Sequence, residues 1–311
     1  MRVGHHFAHT YSVVARDPRT GQLGVAVQSH WFSVGTAVPW AEPGVGAVAT
    51  QSFVETSYGP QGLSLMRDGI SATAALKRLL ARDKRRYWRQ VAMVDSNGVV
   101  AAHTGERCVA SAGHVIGDGW SVQGNMMLDS RVVPTMAETM ARSRGDLGER
   151  LMRVLESAER AGGDIRGTQS AALLVVSGRR SRKSWVGRIL DLRIEDHREP
   201  LKELQRLLEM RRAYHRMSLG IEAMLEGDPK TAVRESRASF ELAQDNVELA
   251  FWNAVTLVGN GDLKAAIPQL RRSFKADHRW REYYPRLAAA GLLNPTEVAR
   301  SLALLDKKRD A

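Results

Sequence analysis

The apolar positions of this chain change their period partway along, and two organisations follow. Up to about residue 200, short β-rich runs alternate with helical blocks. "TYSVVAR" and "LGVAVQS" flank "DPRTGQ", whose Asp-Pro and Thr-Gly pairs supply turn chemistry, so residues 10–29 read as a hairpin. "GVGAVATQSFV" (44–54) is small, β-branched and Gly-studded, a strand closely approached by another backbone. In 59–83, Leu63, Met66, Ile70, Ala74, Leu76, Leu79 and Leu80 recur at helical spacing. Gly69 is expected to divide that stretch into two helices, with Ser71 capping the second. "RQVAMVDSNGVVAAHTG" (89–105) is a second hairpin turned at Asn97-Gly98. "GWSVQGNMM" (119–127) reads as a strand, 131–161 as one long helical stretch, and "SAALLVVS" and "ILDLRIED" as two more strands. Hairpins imply antiparallel sheet, and the helical blocks must cover the outer faces. The expected class is α+β, and two central sheets between two helix layers is one solution.

From about residue 197 the period becomes helical throughout, and an internal repeat emerges. "LGIEAMLEGDPKTAVRESRASFEL" (219–242) matches "NAVTLVGNGDLKAAIPQLRRSFKA" (253–276). Gly227-Asp228 and Gly261-Asp262 lie 34 residues apart, as do Ala232/Ala266, Ser239/Ser273 and Phe240/Phe274. That period, with a Gly-Asp turn between two helices, resembles the tetratricopeptide repeat, although its usual closing proline is absent. A weaker third pair is expected at 281–304. Such repeats make surfaces for protein partners; a small helical cap or dimerisation arm is the alternative reading. The expected domains are a prefix at 1–9, an α+β domain at 10–208 and a helical domain at 209–311.

Composition narrows the function. With 43% hydrophobic and 25% charged residues the chain is expected to be globular. The lone cysteine, Cys108, rules out an intramolecular disulfide and reads as a small buried hydrophobe. No stretch reaches the roughly 20 apolar residues of a membrane span, and "MRVGHHFAHTY" lacks a signal-peptide core, so a cytoplasmic location is expected. The net charge of +11 is partly concentrated in "KRRYWR" (84–89) and "RRSRKSWVGR" (179–188). No nucleic-acid motif accompanies either run, so both read as solvated surface rather than as a nucleic-acid interface. His5, His6 and His9 share the N-terminal tail, but no metal-ligand spacing appears, and neither metal nor organic cofactor is expected.

The blocks "HTYSVVARDPRTGQLGVAVQSHWFSVGTAVPWAEPGVGAVATQSFVETSYGPQGLSLM", "RQVAMVDSNGVVAAHTGERC", "AGHVIGDGWSVQGNMM", "AGGDIRGTQSAALLVV" and "LDLRIEDHREPLKELQRLL" resemble an uncharacterised bacterial family, domain-of-unknown-function family 1028, over about residues 9–208. That family is assigned to the N-terminal-nucleophile (Ntn) hydrolases. The resemblance implies a four-layer αββα sandwich and an amidohydrolase acting on a small amide or peptide-like bond. In such enzymes a Thr, Ser or Cys opening a strand is the first residue of the mature chain. Its own α-amine, with a pKa near 8, serves as general base.

Thr10 starts the matching strand and is the implied nucleophile. An ordinary β-branched strand residue is the other reading. Ser12 shares its face of the strand. The prefix "MRVGHHFAH" would have to be cut after His9, since removal of Met1 alone exposes Arg2. Asp17 is either a site-orienting carboxylate or a turn former. His30 stands where proteasome-like members carry a lysine. Gly124 and Asn125 could form an oxyanion hole or a tight turn. Gln51, Glu55, Tyr58, Asp164 and Gln169 are candidate substrate contacts or loop residues. The rival function is a catalytically inactive Ntn-fold scaffold working through its helical repeats. A homo-oligomer is expected in either case.

Overall fold

The computed structural model describes residues 6–8 (backbone only), 10–181, 183 and 186–307. The expected tail cluster of His5, His6 and His9, and most of the prefix, lie outside the described side chains. The chain divides into two compact units, residues 1–206 and 207–311.

In the first unit β1 (His6–Ala8) precedes the hairpin β2 (Thr10–Arg16) and β3 (Leu23–Ser29). There follow β4 (Pro39–Glu42), β5 (Gly46–Val54), α1 (Tyr58–Arg67), α2 (Ala72–Arg82), β6 (Arg89–Asp95) and β7 (Val100–Thr104). The unit continues with β8 (Gly113–Gly117), β9 (Trp120–Gly124), α3 (Val132–Arg142), α4 (Leu147–Arg160), β10 (Ser170–Val176) and β11 (Arg188–Ile194). All pairings are antiparallel. The first sheet runs β1-β5-β6-β7, with β4 also paired to β5; the second runs β11-β10-β3-β2-β9-β8.

The turns arise from side chains that replace backbone partners. Asp17 Oδ1 accepts the N–H groups of Arg19 and Thr20, each at 2.9 Å, and closes the β2–β3 hairpin. Asp95 Oδ1 does the same for Asn97 and Val99. Gly98 there has φ 85°, a left-handed conformation that favours glycine. Gly69 separates α1 from α2, and Ser71 Oγ caps α2 through the Ala74 N–H at 3.3 Å, as the spacing predicts.

The single helix expected over 131–161 is two. The chain leaves α3 at Ser143, Gly145 adopts φ 105°, and Asp146 restarts α4 by accepting the Glu149 N–H at 2.9 Å. The strand expected over 119–127 ends at Gly124, because Asn125 and Met126 (φ 60°) turn away.

Alternation along the strands separates two layers of core. Ala92 and Val94 join Val25, Val27, Ala47, Ala49, Ala172 and Leu174 in one cluster made from both sheets. Val91 and Met93 face the other way, toward Leu63, Met66, Leu76 and Leu79 of α1 and α2. α4 packs on β2 and β3, and α3 on β8 and β9. A Cβ at Gly24 would come within 2.7 Å of Leu151 Cδ1, so glycine is what lets α4 approach β3.

α5 (Pro200–Leu225) runs across the boundary between the units. The second unit continues with α6 (Pro229–Leu242), α7 (Val247–Gly259), α8 (Leu263–Ala276), α9 (Arg279–Ala289) and α10 (Pro295–Asp306). The 34-residue spacing has a physical counterpart. Asp228 and Asp262 cap α6 and α8 by accepting the N–H groups of Thr231 and Ala265, each at 3.1 Å. Ser239 Oγ donates to Ala213 O, and Ser273 Oγ, 34 residues later, donates to Val247 O. α7, apolar on nearly every side, is the centre of this unit.

Candidate active site

Thr10 opens β2, which lies inside the second sheet between β3 and β9. It is fully buried, and its hydroxyl donates to Ser29 Oγ at 3.1 Å. Its carbonyl accepts from the Asn125 backbone N–H (3.1 Å), Gln51 Nε2 (3.0 Å) and Asn125 Nδ2 (3.4 Å). The peptide at the head of the strand is therefore clamped from both sheets.

These contacts belong to a larger array of buried amides. Gln51 Nε2 and Asn125 Nδ2 both donate to Gln90 Oε1, at 2.7 and 2.9 Å. Gln90 Nε2 faces Gly124 O (2.8 Å), Thr104 Oγ1 (2.9 Å) and Gly113 O (3.1 Å). On the other side, Ser12 Oγ donates to Gln51 Oε1 and accepts from Gln123 Nε2, each at 2.6 Å; Ser121 Oγ donates to Gln123 Oε1 at 2.9 Å. A buried amide left unmatched costs about 1–3 kcal/mol, so a network so fully paired holds the two sheets in one register. At its outer end Thr104 Oγ1 lies 2.8 Å from His114 Nδ1. Burial, and then the nearby His103, push the His114 imidazole below its ordinary value and favour the neutral ring.

Other predicted residues gather at the same end of the second sheet. The register aligns Thr10 with Ser29 and Ser29 with Ser170, and Gly124 with Tyr11. His30 follows Ser29, and its backbone N–H donates to Asp164 Oδ2 at 3.4 Å. Gln169 N donates to Ser29 O, while its side chain reaches Asp196. Thr10, His30, Gly124, Asn125, Asp164 and Gln169 thus converge, joined by Gln51 from the first sheet. The Asp164 carboxylate is engaged by Arg166 through Nε at 3.0 Å and Nη2 at 2.7 Å. Among the described residues of this unit, three non-glycine residues hold positive φ: Met126 beside Asn125, Ser33 near His30, and Ser52 beside Gln51. Such backbone costs about 1–3 kcal/mol each and concentrates at working sites.

The remaining candidates sit elsewhere. Asp17 is at the opposite end of β2, about 20 Å along the strand from Thr10. It serves the turn and pairs with Arg150 at 3.2 Å. Burial pushes its carboxyl up, but the N–H groups of Thr20 and Arg19 and then Arg150 outweigh that and hold it below the usual range. Glu55 and Tyr58 line a separate recess of about 240 Å³ with Asp83 and Arg82. Tyr58 donates to Asp83 Oδ2, and its phenol is pushed up by burial and then by that carboxylate. Cys108 is half-buried, with its thiol raised by burial, which disfavours a reactive thiolate.

Sequence reasoning missed Gln90, Ser29 and Tyr11. Only the residue type of Gln90 was readable, an uncharged amide directly before the apolar run Val91–Val94. Tyr11 points to the helix side of the sheet and donates to Glu159 Oε2 at 2.7 Å; burial, then Glu159, raise its phenol far above the ordinary value. Among the described residues no cluster of His, Cys, Asp and Glu could hold a metal, and no helix is long and apolar enough to cross a membrane.

The fold and site define a two-sheet α/β domain with a buried polar seam, followed by a helical unit. The model of a family of unknown function, DUF1028, matches residues 10–204. The crystal structure of protein SPO2555 from Silicibacter pomeroyi, assigned to the same family model, is similar at 32% identity and a TM-score of 0.58, covering 64% of this chain and 84% of that one. No curated protein matches. The chain belongs to the DUF1028 family, and its helical unit lies beyond the matched residues.

Proposed function

We propose that the first unit is an Ntn-type amidohydrolase with an αββα sandwich, and that Thr10 becomes its nucleophile when the His9–Thr10 bond is cut. The observation that carries this reading is the clamp on Thr10. A threonine opens an interior strand, its hydroxyl is held by Ser29, and its carbonyl is fixed by Gln51 and Asn125.

The freed α-amine, with a pKa near 8, would take the hydroxyl proton as Oγ1 attacks an amide carbonyl. It would return that proton to the leaving amine, and water would then hydrolyse the acyl ester. Asn125 Nδ2 is suited to hold the oxyanion, because its 3.4 Å contact to Thr10 O is the weakest of the three and the easiest to exchange. A substrate with a small amide or peptide-like bond fits this chemistry, and no metal or organic cofactor takes part.

One observation favours the rival scaffold reading. β1 pairs in register with β5, His6 to Val54 and Ala8 to Ser52, so part of the prefix is built into the first sheet. In that reading the tetratricopeptide-like second unit does the work by binding a protein partner, supported by its repeated caps and repeated Ser-to-carbonyl bonds. N-terminal sequencing of purified protein separates the two. A chain beginning at Thr10, and loss of both cutting and amide hydrolysis in Thr10→Ala, supports the enzyme; an uncut chain sinks the α-amine mechanism.

A further inference from the structure

A cavity of about 830 Å³ lies at the end of the first unit remote from Thr10. It opens between the β4–β5 turn, α1 and, after β10, residues Arg180, Ser181 and Lys183. β10 begins beside Thr10's register partner and ends here, so the sheet itself separates the two places. The volume falls in the range of small-molecule sites, about 300–1,000 Å³.

Its lining is chemically lopsided. Arg67, Arg180, Lys183 and Arg188 contribute four cations against one carboxylate, Glu42. Glu42 is already spent on Arg67, through Nε at 2.7 Å and through Nη2. Arg188 is paired with Asp191 at 2.7 Å. Arg180 and Lys183 have no carboxylate partner among the described residues. Positions 177–190 contain neither Asp nor Glu.

Arg180 is also held in place. Its Nη2 donates to Arg67 O at 2.9 Å. The Gly44 N–H donates to Ser177 O at 2.9 Å, and a Cβ on Gly44 would come within 2.4 Å of Arg180 N, so this backbone is packed tightly against the β4–β5 turn. Beneath the cations, Ala41, Pro43, Leu63 and Val176 provide an apolar floor.

We propose that this cavity binds a small organic anion, a phosphorylated or polycarboxylated molecule with an apolar body. The acidic group would meet Arg180 and Lys183, and the body would lie on Leu63, Pro43 and Val176. Unpaired cations over an apolar floor favour such an amphipathic anion over a bare ion, since charge-assisted hydrogen bonds hold one end and burial of apolar surface the other. The proposal does not depend on what Thr10 does.

The test uses the full chain and two probes, phenyl phosphate and inorganic phosphate, titrated by ligand-observed NMR at low ionic strength. Phenyl phosphate is expected to bind more tightly than inorganic phosphate. The double variant Arg180→Gln/Lys183→Gln is expected to weaken phenyl phosphate by about tenfold or more. Both side chains are exposed, so the fold should survive, which an unchanged melting curve verifies. Equal affinity of wild type and variant overturns the assignment of the cations. Equal affinity for the two probes overturns the apolar half, and no binding of phenyl phosphate overturns the site.

Discussion

Gln90 is the residue on which the inter-sheet seam most depends, and Gln90→Leu measures that dependence. Leucine nearly conserves the volume, so packing alone should change little. What disappears is the acceptor shared by Gln51 Nε2 and Asn125 Nδ2. Each of those amides keeps its other bond to Thr10 O but leaves one hydrogen unmatched in a fully buried place. At about 1–3 kcal/mol for each orphaned donor, the loss is about 4 kcal/mol. The carbonyls of Gly113 and Gly124 belong to paired strands and Thr104 keeps His114, so they add little. For a unit of this size, about 2–4 °C is lost per kcal/mol, and the melting transition should fall by roughly 10 °C. Scanning calorimetry of the full chain reads the shift, and hydrogen exchange identifies which transition belongs to the first unit. Gln61→Leu, on the exposed surface of α1, is the control and should stay within about 0.5 kcal/mol of wild type. If Gln90→Leu melts with Gln61→Leu, the seam is not what holds the sheets in register.

Asp17→Asn removes a carboxylate whose folded pKa lies below its unfolded value of about 3.9. Its contribution is therefore complete above that value and is lost as pH falls through the folded pKa, so urea titrations of wild type and variant should differ most at neutral pH and converge in acid. Gly44→Ala should destabilise far more than Gly69→Ala. Both have positive φ, worth about 1–2 kcal/mol against an L residue, but only at Gly44 would the new Cβ meet backbone, 2.4 Å from Arg180 N. Tyr11→Phe leaves Glu159 without its buried donor and should cost about 1.5–3 kcal/mol by chemical denaturation; a neutral effect would show that the hydroxyl is matched elsewhere.

The hairpins, the break at Gly69, the cap at Ser71 and the onset of the helical region were readable because each rests on chemistry local to a few residues. The 34-residue repeat was readable for the same reason, since Asp228 and Asp262 cap their helices in identical ways. What the sequence concealed was non-local. β4 and β8 are short and half-exposed, and they exist because β5 and β9 offer edges to pair with. The split between α3 and α4 turned on Gly145 accepting φ 105°, a value no period reports. In the candidate site, Thr10 and Asn125 were reachable through a strand start and a strand end. The role of Gln90 was not, because its partners come from four other strands and from the turn after β9. Asp17 was a fair candidate by residue type, yet strand length alone carries it about 20 Å from Thr10.

The α-amine mechanism requires that Thr10 acquire a free amine. Intact-mass spectrometry of the purified full chain, with N-terminal sequencing, answers that directly. The expected result is a chain beginning at Thr10, and a Thr10→Ala variant that keeps all nine preceding residues. A wild-type chain still carrying His9 would contradict it.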